Sequence, residues 1–248
     1  STGDGAGLLF EIPHKFFQKE ISDFTIPEEE NYAAGMVFLP RNQTIIDHCK
    51  DQFEEIAVQE GADILGWREV PTNNECLSGI ADETEPLAYQ VFIDRKDISK
   101  DDFERKLYVI RRQIEKDVNR YIEELGLETE EVFYINSLSY RTIVYKGLLT
   151  GTQLSEYYPD LKEEDFQSAF SIIHQRFSTN TLPTWHRAQP MRHLAHNGEI
   201  NTLQGNINRM RSREGVISSS KFGDNVEKIR PIIDRSGSDS AIFDNVLE

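Results

Sequence analysis

The sequence predicts a mixed α+β fold, and three observations carry that prediction. Short runs rich in β-branched and aromatic residues, among them 33–40, 62–71 and 87–95, are bounded by glycine, proline or polar turns, as buried strands are. The segment 99–126 instead repeats an apolar residue every three or four positions, the period of a helix with one face on a core. These elements follow one another as strand, helix, strand, strand, long helix, strand, strand, which is not the strict alternation of a parallel α/β sheet.

Taken in order, the chain opens with STGDGAG, whose glycines could form a phosphate loop. It lacks a Gly-Lys-Ser/Thr, its glycine spacing misses the dinucleotide fingerprint and no strand precedes it, so it reads as a tight loop into the apolar run Leu8 to Ile12. A strand follows at AAGMVFLP (33–40). Thr44 with Asp47 predicts a capped helix that buries Ile46, Cys49, Phe53 and Ile56 and closes at Gly61. The runs ADILGWREVP and LAYQVFIDR supply two strands separated by a polar loop from Thr72 to Pro86. Ser99 with Asp102 caps the long helix, whose apolar face is Phe103, Leu107, Ile110, Ile114, Val118, Tyr121 and Leu125, and Gly126 ends it. Its charged opposite face reads as solvated. Two further strands lie in EVFYINSLSYRTIVYKGLL (131–149).

From His174 to Gly198 the chain packs three arginines, four histidines and an Asn-Gly pair. One strand, SAFSIIHQRFSTNT, is expected to stop at Arg176, and a second strand-like run, HLAHNGEI, to reach a turn at Asn197-Gly198. The period then turns helical, with Ile200, Leu203, Ile207 and Met210 on one face, Asn201 and Gln204 as a capping pair and Gly215 as C-cap. A last helix starts at Ser238 or Asp239 and buries Ile242, Val246 and Leu247.

Composition narrows the function. A formal net charge of −16 opposes binding to nucleic acid or anionic lipid. No run approaches the length of a membrane span and no secretory signal opens the chain. The two cysteines, Cys49 and Cys76, have no CxxC spacing, which points to free thiols in a reducing, cytoplasmic setting. The histidines at 174, 186, 193 and 196 lack zinc-site cysteines and the HExxH pattern. Ser1 could act as an N-terminal nucleophile with its own amine as base, or simply mark where a fragment begins. Arg176 could be a structural ion pair in a chain with 43 acidic and 27 basic residues. In company, however, Arg176, Thr179, Asn197-Gly198 and Asp239 offer a fork for a carboxylate, donors for an oxyanion and an acid for an ammonium, the requirements of an amino-acid site.

Longer strings go further. RFSTNT (176–181), HNGEINTLQGN (196–206), SDSA (238–241) with the following DNVLE, and the opening TGDGAG resemble the N-terminal glutaminase domain of the glutamate synthase large-subunit family, a class II glutamine amidotransferase, across nearly the whole chain. The resemblance implies a four-layer αββα sandwich of the N-terminal-nucleophile hydrolase type, with residues 1–248 as a part of that domain. It implies that Arg176 grips the α-carboxylate of L-glutamine, that Phe177 and Thr179 line the pocket, that Asp239 pairs with the α-ammonium, and that Asn197 and the Gly198 amide form the oxyanion hole.

One departure accompanies the match. The family's nucleophile is a cysteine at the mature N-terminus, several dozen residues before TGDGAG, and neither Cys49 nor Cys76 occupies such a place. The 248 residues alone are therefore expected to be inactive. For the complete protein the resemblance implies FMN, an iron–sulfur cluster, further synthase domains and a small electron-donating subunit, with no cofactor in this chain. The other reading is a non-catalytic amidotransferase-like binding module.

Overall fold

The computed structural model of the chain describes residues 5–126, 133–175, 183–198, 200–235 and 237–248. Its elements, in chain order, are β1 (Ala6–Glu11), α1 (His14–Glu20), β2 (Tyr32–Leu39), α2 (Gln43–Gln59), β3 (Asp63–Glu69), α3 (Ile80–Glu83), β4 (Leu87–Asp94), α4 (Lys100–Glu124), β5 (Tyr134–Ser139), β6 (Thr142–Gly147), α5 (Leu154–Tyr157), β7 (Ser171–His174), α6 (Leu203–Glu214), α7 (Val226–Ile229) and α8 (Asp239–Leu247). The fold is a mixed α/β arrangement with two antiparallel sheets, one ordered β3-β4-β2-β5 and the other β6-β1-β7.

The four-stranded sheet is buried on both faces, because its central strands alternate two apolar sets rather than apolar with polar. In β2, Ala33, Val37 and Leu39 join Val91, Ile93 and Ile135 beneath α2 and α4, while Ala34, Met36 and Phe38 meet Phe10, Ile143 and Tyr145 of the other sheet. Helices, one sheet and the second sheet thus form three successive layers. Consecutive strands β5 and β6 belong to different sheets, so the turn at Tyr140-Arg141 carries the chain from one layer to the next. Phe92 sits at the centre of the second cluster, fully buried, with the rings of Phe17, Phe24 and Tyr32 at 5.0, 5.4 and 6.1 Å.

Several expected features differ in detail. The N-cap of α2 is Asn42, whose Oδ1 accepts from the Thr44 and Ile45 amides, rather than Thr44. Ser99 caps α4 through the Asp102 amide as expected. The charged side of α4 is solvated only in part: Asp101, Asp102 and Arg120 are exposed, but Arg111 and Arg112 are buried against α7, the end of α8 and the 231 region. On its apolar side Ile122 is buried, while Leu125 is exposed. No strand forms within 191–198, because its backbone is engaged by side chains of α8 and Gln189 instead of a neighbouring strand. Asn201 and Gln204 do not cap α6: Thr202 occupies the N-cap in a left-handed conformation and Gln204 bonds Asn208. In α8 Ile242 is buried as expected, but Val246 and Leu247 are exposed, and Ser240, Asp244 and Asn245 take the inward positions.

Candidate functional site

The site is built where the 183–198 segment lies over the outer face of the three-stranded sheet. Gly7 of β1 makes the close approach possible, since a Cβ there would stand 2.6 Å from the Gln189 carbonyl oxygen and 3.0 Å from Pro190 Cδ. The glycine-rich opening therefore serves backbone packing at its Gly7 end. Lys146 of β6 projects from the same face and donates from Nζ to the His186 carbonyl at 2.6 Å. Burial pushes its ammonium down to about 7, with Arg192 adding to the effect and Asp244 opposing it.

The N-terminus of α8 meets this segment. Ser238 caps the helix through the Ala241 amide, which leaves Asp239 in the first turn, where a carboxylate is favoured by the helix dipole. Asp239 Oδ1 accepts from the Ser240 amide at 2.7 Å and from the Ser240 hydroxyl at 3.2 Å. Ser240 is buried, and its Oγ lies 2.8 Å from His196 Nε2 and accepts from Gln189 Nε2 at 3.3 Å. The Gly198 amide donates to His196 Nδ1 at 3.1 Å. A backbone N–H can only donate, so Nδ1 carries the lone pair and Nε2 the proton, and His196 in turn donates to Ser240. The His196 amide donates to Gln189 Oε1 at 2.8 Å, and its carbonyl accepts from His174 Nε2 at 3.1 Å.

A charged network holds the same segment from beneath. The Asp244 carboxylate is fully buried and accepts from the Arg192 and His193 amides at 3.2 and 2.7 Å. The Arg192 guanidinium reaches Glu115 Oε1 at 3.1 Å and the Ile135 carbonyl at 2.5 Å. Glu115 also pairs with Arg111 and Arg112, and Arg111 with Glu248. Burial opposes ionisation of Glu115, but Arg111, Arg112 and Arg192 outweigh it and hold the carboxyl down at about 2.

Of the residues expected from sequence, Asn197 and Gly198 stand exposed at the end of this segment, and Asp239 is half-buried one residue from the serine that joins them. The path Asp239, Ser240, His196, Gly198 thus links the expected ammonium partner to the glycine of the expected oxyanion pair. Arg176, Phe177 and Thr179 lie outside the described residues, although β7, which runs to His174, is tied to the segment through His196. His196, Ser240 and Asp244 were missed. Their signal was adjacency, a histidine beside Asn-Gly and a serine beside the aspartate, which acquires meaning only once α8 is placed against the segment.

Cys49 is buried under the four-stranded sheet, where burial pushes its thiol up to about 12, and the half-buried Cys76 thiol is also raised by burial. Neither has the lowered pKa of an activated nucleophile. An iron–sulfur cluster is held by several cysteine thiolates, and two separated cysteines do not fit one. Among the described residues no group of three or more His, Cys, Asp or Glu could hold a metal ion, and no helix is long and apolar enough to cross a membrane.

The family model for class-II glutamine amidotransferases matches residues 1–248. The chain is similar to the glutamate synthase [NADPH] large chain of Bacillus subtilis, at 50% identity over 249 residues that cover 100% of this chain and 16% of that protein. It is also similar to the glutamate synthase [NADH] of Saccharomyces cerevisiae, at 45% identity over 100% of this chain and 12% of that protein. The ferredoxin-dependent glutamate synthase 1 of Arabidopsis thaliana is 43% identical over 100% of this chain and 15% of its own length. The chain thus spans less than a fifth of the length of these relatives.

Proposed function

This chain belongs to the class-II glutamine amidotransferase family, and on that basis we propose that it is the glutaminase portion of a glutamate synthase. In this reading it binds L-glutamine and, in the complete protein, the amide is hydrolysed to glutamate and ammonia, the ammonia serving the reductive amination of 2-oxoglutarate. The observation that carries the reading is the hydrogen-bonded path that joins Asp239 to Gly198. It supports a reading in which an acid for an ammonium and a donor for an oxyanion belong to one site, on a segment that the charged network keeps in place.

Arg176 grips the α-carboxylate with its planar fork, Phe177 and Thr179 line the pocket, and Asp239 receives the α-ammonium. Asn197 and the Gly198 amide serve in the reaction as donors to the oxygen that becomes negative as the amide carbon is attacked; one such donor is worth roughly a hundredfold or more in rate. The attacking thiolate is that of an N-terminal cysteine outside these 248 residues, whose α-amine takes the thiol proton and returns it to the leaving ammonia. Water then cleaves the thioester to glutamate. The buried, high-pKa state of Cys49 supports assigning the nucleophile elsewhere. In this reading the complete domain adds a second helical layer over the three-stranded sheet, as the four-layer αββα sandwich of such a domain requires.

FMN, the iron–sulfur cluster and the electron-donating subunit belong in this reading to other parts of a cytoplasmic assembly. Relatives named for NADPH, NADH and ferredoxin match this chain at 50%, 45% and 43% identity, which supports placing the choice of electron donor outside it.

Calorimetry on the complete protein tests the site. Arg176→Ala is expected to abolish binding of a glutamine analogue, and unchanged affinity would overturn the assignment. The 248-residue chain alone is expected to release no ammonia from glutamine; release would return Ser1 to consideration as the nucleophile.

A further inference from the structure

In the described conformation the Gly198 amide is not directed at a substrate oxygen. It donates to His196 Nδ1, and a single N–H does not serve two acceptors well. The bond belongs to a chain in which every donor is defined: Gly198 N–H to Nδ1, Nε2–H to Ser240 Oγ, and Ser240 O–H to Asp239 Oδ1. Gln189 closes the chain from the side, donating to Ser240 Oγ and accepting from the His196 amide, so neither the ring nor the hydroxyl can turn without losing a partner.

Such chains are cooperative. An Asp239 carboxylate that holds no ammonium polarises the Ser240 hydroxyl, which makes Oγ a better acceptor for Nε2–H. The imidazole then becomes a better acceptor at Nδ1 and holds the Gly198 amide more firmly. A substrate ammonium that neutralises Asp239 reverses each of these effects. From this geometry we propose that His196 and Ser240 are positioning residues that couple occupation of the ammonium anchor at Asp239 to release of the Gly198 amide toward the substrate oxygen. The inference rests on the glutaminase reading and adds to it a reason for the enzyme to favour substrates that carry an α-ammonium in the chemical step as well as in binding.

The test compares glutamine with its deamino analogue, glutaramate, in the complete protein, following ammonia release. In the parent, loss of the α-ammonium is expected to lower kcat about tenfold in addition to raising KM, a coupling of ordinary size for residues in one network. Ser240→Ala cuts the chain and is expected to shrink the kcat ratio between the two substrates to below about threefold. His196→Asn, which keeps a short acceptor near the amide but does not reach Ser240, is expected to do the same. Ser240→Thr retains the hydroxyl and is expected to restore the ratio. Thermal unfolding selects the variants that are folded, and the two independent cuts keep the test decisive if one of them is not. An undiminished kcat ratio in folded Ser240→Ala or His196→Asn protein overturns the relay. The underlying site is tested separately: if Asp239→Asn leaves KM for glutamine unchanged, the ammonium assignment fails, whereas a raised KM with the ratio intact in Ser240→Ala removes the relay alone.

Discussion

Two halves of this molecule are held by different forces. The layers built from β1 to β6 with α2 and α4 are joined by two large apolar clusters in which aromatic and β-branched side chains interlock. Beyond Trp185, which joins the second of these clusters, the segment 183–198 and the region from α6 to α8 contribute smaller apolar groups, such as Ile207, Ile233 and Ile242, and are fastened largely by buried charges and hydrogen bonds. The difference has a functional logic. Apolar packing tolerates many sequences but specifies direction weakly, whereas Asp244 on two successive amides and Arg192 on Glu115 define where the backbone before Asn197-Gly198 must run.

The largest expected effect breaks the apolar half. Phe92→Ala removes a fully buried ring from the midst of Phe17, Phe24 and Tyr32, and is expected to lower stability by about 4 kcal/mol in denaturant unfolding. A loss below 1 kcal/mol would mean that the cluster re-collapses and is not the rigid half described.

Breaking the polar half should cost somewhat less stability and more function. Glu115→Gln leaves Arg111, Arg112 and Arg192 buried without their shared carboxylate, with an expected loss of about 3 kcal/mol. The pH dependence sharpens this. A carboxyl held at about 2 when folded, against an ordinary 4.5, contributes stability that is present above pH 4.5 and disappears as pH falls toward 2. The parent should therefore lose roughly 3 kcal/mol across that window from this group, and Glu115→Gln should lack that part of the acid limb. Identical acid unfolding of the two proteins would refute the network's weight.

The smallest expected effect lies at the boundary between the halves. Lys146 is an ammonium forced into the protein interior, with a pKa of about 7 when folded and an ordinary value of 10.5. Between those values the unfolded chain binds more protons, so stability should rise with pH. Lys146→Met is expected to flatten the Tm profile between pH 7 and 10 and to stabilise the protein by about 1 kcal/mol at neutral pH. An unaltered slope would place the amine in contact with water.

The same division decides what could be read in advance. Strands β2, β3 and β4 and helix α4 were legible because their patterns of apolar residues report directly on burial. The cap at Ser238 and the helix it begins were legible because capping is local chemistry. The run HLAHNGEI misled because a short apolar stretch that ends at a turn resembles a strand even where side chains, not a neighbouring strand, satisfy the backbone. Arg111 and Arg112 misled for a related reason: helical periodicity identifies the apolar face of α4 but carries no information about what covers the other face.

The sequence by itself determined most of the strands, the long helix and the family, since these are written in short-range patterns and in strings of residues that stay together along the chain. It also marked Asn197, Gly198 and Asp239 as partners in one chemistry. Only the tertiary structure decided that Ser240 and His196 stand between them, because a contact across 44 positions depends on how α8 lies against the segment, and no local pattern encodes that placement.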